Sequence, residues 1–263
     1  MTGAIRTGIG GWTFEPWRGS FYPDDLRQAD ELAYAASRLG TIEINGTYYR
    51  MQTPATFAKW RQAVPEGFRF SVKALRYAVM KKALAEAGEA VERFVGSGLS
   101  ELGDALGPVL WQMLPTRRFN PDDMAAFMAL LPRAVDGLKL RHAIEVRHES
   151  FACADFVALT RRHGVAIVVA DHADHPMIAD NTADFVYLRL MRGRDDIATA
   201  YDAAGLDRWA GIMRDLAAGR DPGLPLLSEP APKVERDVFA YIIHEGKVRA
   251  PAGAIALAER VSA

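Results

Sequence analysis

The stretch His142–Phe151, HAIEVRHESF, decides the reading of this chain. Ile144 and Val146 alternate with Ala143, Glu145 and Arg147, the period-2 pattern of a β-strand. If helices cover the apolar parity, Glu145 and Arg147 must point the other way. An inward acid–base pair at a strand end, followed by His148 and Glu149, does not suit a packed core.

Seven further segments repeat the pattern: Arg6–Trp12, Thr41–Asn45, Phe68–Lys73, Val109–Met113, Val165–Asp171, Phe185–Leu190 and Asp237–His244. Helical periodicity separates them. Thr53 and Pro54 open one helix as N-cap and first residue, and Gly164 stops another. About a dozen residues lie between the sixth and seventh strands, so the sixth helix is expected to be reduced. Eight strands alternating with helices predict an α/β fold, a single (β/α)8 TIM barrel of parallel strands spanning residues 1–263. The Pro-rich run Asp221–Pro232 reads as a loop, not a domain boundary. Gly8, Gly10 and Gly11 lack the third glycine of a dinucleotide fingerprint and are read as a close approach of strands. The aromatic run Trp12–Pro23 either lines a binding mouth or, the stronger reading, caps the core.

Composition narrows the function classes. The 263 residues are 49% hydrophobic and 25% charged, as in soluble globular proteins. A net charge of −1 gives no global field for nucleic acid or anionic membrane, so anion binding must be local. Cys153 is the single cysteine, which excludes an intrachain disulfide and a thiolate zinc site. No signal-peptide run or spanning apolar segment is present, so a cytoplasmic protein away from the membrane is expected.

The inward parity predicts a polar crown at the C-terminal strand ends, where barrel active sites sit: Trp12, Glu43, Asn45, Lys73, Gln112, Glu145, Arg147, Asp171, Arg189 and His244. Charges buried there without partners would cost several kcal/mol each. A salt-bridge ring is the plain structural alternative; clustered titrating groups favour a site. The loops MRGRDD (Met191–Asp196) and HEGKVRAP (His244–Pro251) follow the seventh and eighth strands, a common phosphate position, and bring Lys247 and Arg249. DHADH (Asp171–His175) offers His172, Asp174 and His175 which, with Glu145 and His148, would suit zinc or manganese. Without HExxH or CxxC spacing, a divalent metal is the lesser reading and no cofactor is expected. No G-x-S-x-G elbow or Walker loop occurs. The positions of Gln112 and Arg189 disfavour a two-carboxylate glycosidase. Glu43 beside Lys73 is expected to keep that amine protonated and unsuited to Schiff-base chemistry.

The runs GGWTFEPWRGSFYP (Gly10–Pro23), TIEINGTYYRMQTPATFAKW (Thr41–Trp60), FRFSVKALRY (Phe68–Tyr77), LGPVLWQMLP (Leu106–Pro115), IEVRHESF (Ile144–Phe151) and GKVRAPAGA (Gly246–Ala254) resemble the YecE-like family, domain of unknown function 72. The resemblance implies a TIM barrel and brings no established reaction. Two positions depart from the family pattern: Val79-Met80 stands where a Thr-His pair is common, and His244 where the eighth strand often ends in Asn. The expected function is acid/base enzymology on a small anionic substrate, phosphorylated or a nucleic-acid fragment. Glu145 would be the general acid/base, Arg147 and Lys73 would stabilise negative charge, and Asp171 and His148 would orient or share protons with Glu43 nearby. Trp12, Asn45, Tyr48, Gln112, Arg189, His244, Lys247 and Arg249 would bind the substrate. The alternative is a non-catalytic barrel that binds a ligand or nucleic acid. No protein partner is predicted.

Overall fold

The computed structural model describes residues 3–262. Eight parallel strands close into a barrel: β1 Ile5–Gly10, β2 Thr41–Ile44, β3 Arg69–Lys73, β4 Leu106–Gln112, β5 His142–Glu145, β6 Ala166–Asp171, β7 Phe185–Arg192 and β8 Asp237–Glu245. Each strand pairs with its sequence neighbours, and β8 closes on β1 through Ile5↔Val238 to Ile9↔Ile242. Gly8 is required here, because a Cβ at that position would lie 1.9 Å from the Thr41 carbonyl oxygen of β2.

The covering helices are α1 Glu31–Ala36, α2 Pro54–Gln62, α3 Gly88–Val95, α4 Pro121–Leu130, α5 Ala154–His163, α6 Ala203–Ala217 and α7 Ala250–Ser262. Their ends follow local chemistry. Thr53 Oγ1 accepts the Thr56 N–H at 3.3 Å ahead of Pro54, and Asn120 Oδ1 accepts the Asp123 N–H at 3.0 Å ahead of Pro121. Gly164 takes φ 65° and ends α5. No helix is found between β6 and β7 among the described residues, in keeping with the short spacing. Between β1 and β2 the chain forms a 3-10 turn (Gln28–Asp30) and the short α1.

Strand parity splits the core in two. Ile9, Ile42, Val72, Trp111, Ile144, Val169, Leu188 and Ile242 pack outward under the helices. Leu110, Ala143, Val168, Tyr187, Phe239 and Tyr241 fill the interior. The aromatic run caps this core: Trp17 and Tyr22 are buried, and Trp17 Nε1 donates to the Lys247 carbonyl at 2.9 Å, tying the β1 loop to the β8 loop. His142 lies on the outer parity. Its Nδ1 accepts from Trp111 Nε1 at 3.0 Å, which leaves Nε2 to donate to the Pro132 carbonyl at 2.7 Å, so the ring is neutral and fully used.

One element has no counterpart in the sequence reading. Between α4 and β5 a tight ribbon pairs Ala134–Val135 with Leu138–Lys139. Asp136 and Gly137, with φ 47° and 79°, make its turn, as the Asp-Gly pair favours.

Candidate active site

The C-terminal mouth is built around a single guanidinium. Arg189 projects inward from β7 and is buried. Its Nη2 lies 3.1 Å from Glu43 Oε1 of β2, and its Nη1 donates to Glu145 Oε2 of β5. Glu145 also takes Arg147 Nε at 2.7 Å and Gln112 Nε2 at 3.0 Å. Burial alone would raise the Glu145 carboxyl pKa. The cations of Arg189 and Arg147 and the Gln112 hydrogen bond outweigh it and hold the pKa at about 2. Burial likewise opposes the Arg189 charge, and Glu145 and Glu43 raise its pKa above the usual range. Both are therefore permanently charged at neutral pH. Glu145 is an anchored anion, poorly matched to the general acid/base role expected of it.

Lys73 behaves differently. It closes β3 on the inward parity, is 8% exposed, and sets Nζ 4.5 Å above the Tyr48 ring. No ion pair to it is found among the described residues, because Glu43 is engaged by Arg189 and by Tyr187. Burial and then the Arg189 charge lower its pKa to about 8, against the smaller pull of Glu43 and Glu145. Glu43 favours the protonated amine, as expected, but by less than burial and Arg189 oppose it.

Beneath these charges lies a layer of hydroxyls that the sequence reading missed. Tyr187 OH donates to Glu43 Oε2 at 2.7 Å, so Ser71 Oγ, 2.6 Å away, donates to Tyr187. Thr41 Oγ1 donates to the Arg69 carbonyl and receives Tyr241 OH at 2.9 Å. Tyr187 and Arg189 alternate in FVYLRL, and that shared parity was the available signal.

The remaining predicted residues divide by position. Asn45 follows β2 at the rim and donates to the Glu43 carbonyl at 3.3 Å. Trp12 does not face the barrel interior; it packs edge-on against Trp60 of α2 at 5.3 Å and against Phe70. Asp171 is likewise not inward. It shares the outer parity of Ile167 and Val169, where burial raises its pKa and Tyr201 OH donates to it at 3.2 Å. His148 is spent locally, its Nδ1 accepting the Ser150 N–H at 3.1 Å. His244 is exposed at φ 74°, edge-on to His172 at 5.5 Å, and His172 stacks on His175 at 3.9 Å. Among the described residues no three His, Cys, Asp or Glu side chains are grouped to hold a metal ion.

The expected phosphate cradle is closed by the protein itself. Gly193 and Gly246 bring the two loops together, since a Cβ on Gly246 would lie 2.5 Å from the Arg194 nitrogen. Asp195 Oδ1 accepts the Val248 N–H at 3.0 Å, Arg249 Nε donates to the Asp195 carbonyl at 3.2 Å, and Lys247 Nζ sits 4.0 Å over Phe14. Lys247 and Arg249 thus join loops together and do not converge with the crown.

A crown centred on the β2, β5 and β7 strand ends of an eight-stranded barrel can now be set beside known proteins. The model of a protein family of unknown function, DUF72, matches residues 6–263. The chain belongs to the DUF72 family. Solved DUF72 structures share the fold. A member from Thermotoga maritima superposes with TM-score 0.72 at 20% identity over 97% of both chains. One from Enterococcus faecalis gives 0.68 at 17% identity, over 99% of this chain and 98% of that one. Among curated proteins none matches. The DUF72 assignment fits the YecE-like resemblance and names no reaction. No helix among the described residues is long and apolar enough to cross a membrane.

Proposed function

We propose that this DUF72 barrel is an enzyme whose C-terminal mouth takes a small anionic substrate, phosphorylated or nucleic-acid-like, with Lys73 as the group that moves protons. One observation carries the reading. The mouth sets three cations, Lys73, Arg147 and Arg189, against two carboxylates, Glu43 and Glu145, and Lys73 has no carboxylate partner among the described residues. An arriving anion would meet an ammonium already stripped of water, where charge–charge attraction is strongest. With its pKa at about 8, Lys73 exchanges its proton near neutral pH. The neutral amine would accept a proton from the substrate, and the ammonium would then offset developing negative charge. Glu43, Glu145 and Arg189 hold their geometry and frame the amine. Arg147 and Gln112 complete the rim, with the Tyr48 ring beneath the amine.

The non-catalytic reading draws on the same engagement of side chains: Arg189 is already bound to two carboxylates, which leaves fewer groups free for chemistry. A thermal-shift screen of phosphate, sugar phosphates, nucleotides and short oligonucleotides, run on the wild type and on Lys73→Met, tests the proposal. A ligand at a hundredfold its Kd adds about 2.7 kcal/mol of stability. Stabilisation by an anion that vanishes in Lys73→Met, followed by turnover of that compound, supports the enzyme. Binding without turnover leaves the binding barrel. No stabilisation by any anion overturns both.

A further inference from the structure

At the opposite end of the barrel lies a second concentration of positive charge, outside the crown, which the fold pairs only in part. A cavity of about 680 Å³ opens beside the N-terminal ends of β5 and β6, within the range of small-molecule sites. Arg133, Lys139 and Arg141 reach it from the Asp-Gly ribbon and its flanks; Arg161, Arg162 and His163 reach it from the last turn of α5.

Cations at a helix C-terminus are ordinarily partners of the helix dipole, and exposed arginines are ordinarily solvated. Here two separate segments, one before β5 and one at the end of α5, bring theirs to one cavity, which neither habit explains.

Compensation is incomplete. Asp184 is the one acidic residue in the lining. It pairs with Lys139 at 2.5 Å and reaches Arg141 at 3.9 Å. Arg141 is further held by Asp237 at 2.7 Å, and Arg161 lies 3.7 Å from Asp180. Arg133 and Arg162 have no ion pair among the described residues, and Arg161 Nη2 is buried without a hydrogen-bond partner. Burial, and after it the neighbouring charges of Arg162 and Arg133, lower the His163 pKa. The floor is apolar, made of the buried Met128, Leu131, Leu140 and Val165. No Phe, Tyr or Trp lines it, so it lacks the stacking platforms of single-strand binders.

We infer that this N-terminal cavity binds an organic phosphate, a small molecule whose apolar body lies on Leu131, Leu140 and Val165 while its phosphates sit between Arg133 and Arg162. The site is independent of the crown chemistry and lies at the other end of the barrel, so either can fail alone.

The test uses ADP as a probe joining a ring to two phosphates, with inorganic pyrophosphate and a short single-stranded oligonucleotide beside it. Binding is measured by calorimetry on the wild type, on Arg133→Ala/Arg162→Ala and on Lys73→Met. The expected result is that ADP binds more tightly than pyrophosphate and that the double variant loses at least about tenfold in affinity. The part of ADP binding that Arg133→Ala/Arg162→Ala removes should persist in Lys73→Met. The His163 midpoint, followed by proton NMR, should rise on saturation, because the bound anion offsets Arg162 and Arg133. Thermal melts of the double variant check that it is folded. ADP affinity unchanged in the folded double variant overturns the site, as does absence of ADP binding. Pyrophosphate binding as tightly as ADP overturns the apolar subsite. Oligonucleotide binding far tighter than ADP, and equally lost in the double variant, replaces the small-molecule site with a polyanion surface.

Discussion

Arg189 on β7 holds Glu43 on β2 at 3.1 Å across the barrel interior, and its other amino group holds Glu145 on β5. One guanidinium thereby pairs with two buried carboxylates and joins three strands that are distant in sequence. Each carboxylate has further donors, Tyr187 on Glu43 and Arg147 with Gln112 on Glu145. Lys73, without a carboxylate partner among the described residues, has its pKa lowered by burial to about 8.

Removing that guanidinium should be costly. Arg189→Met strands Glu43 and Glu145 as buried anions, and breaking such a pair from one side costs about 3–5 kcal/mol. Urea denaturation should show a loss of this order. Adding Glu43→Gln and Glu145→Gln to the same chain should restore much of it, since neither buried carboxyl group is then left as an unpaired anion.

Tyr187→Phe removes a buried hydroxyl that donates to Glu43 and accepts from Ser71. A loss of about 1–3 kcal/mol is expected from the unsatisfied carboxylate oxygen and serine. Adding Ser71→Ala should change the midpoint little further.

Lys73 links stability to alkaline pH. Its folded pKa is about 8 against an ordinary 10.5, so between those values the unfolded chain binds the extra proton. Folding then becomes more favourable as pH rises from about 8 to 10.5, by about 3 kcal/mol in all. The difference between wild type and Lys73→Met isolates this from the tyrosines. The variant should be more stable than wild type at pH 7, with the gap narrowing toward pH 10. A constant gap would show that the amine titrates normally.

Glu145 acts at the acid end, where stability again falls as pH falls. Its folded pKa of about 2 lies below the ordinary 4.5, so its stabilisation is complete above pH 4.5 and is lost as pH falls toward 2. Glu145→Gln should be destabilised at pH 7, where Arg189 and Arg147 lose an anion. Its melting curve should also be flatter than that of the wild type between pH 4.5 and 2.

Gly246 carries the junction of the β7 and β8 loops. With φ 65° and backbone 2.5 Å from any added Cβ, Gly246→Ala must shift one loop. A loss above about 1 kcal/mol is expected, together with release of the Val248–Asp195 contact, visible as faster amide exchange at Val248.

The inward positions of Glu43, Lys73, Gln112, Glu145 and Arg189 were legible because each alternates with an outward Ile, Val, Trp or Leu inside its own strand. Trp12 was misplaced because it stands beyond the last residue of β1, and Asp171 and His244 because their chemistry, not their parity, suggested an inward place. Asp171 has inward-looking chemistry on the outward parity of Ile167 and Val169, and His244 turns away at positive φ. The Asp-Gly ribbon escaped because two-residue strands are too short to show a period.

Period and spacing are local properties of the chain. Hydrophobic alternation, helix caps and connection lengths were therefore enough to specify eight parallel strands, a reduced sixth helix and the end of the barrel where charge collects. Partner choice is not local. That Arg189 takes both Glu43 and Glu145, leaving Lys73 without a carboxylate, follows from barrel closure, which brings residues more than 140 positions apart within hydrogen-bond reach. That Asp195 fills the helix end expected to bind phosphate depends likewise on two loops meeting at Gly193 and Gly246. Distances between strands set the electrostatics, and only the folded barrel sets those distances.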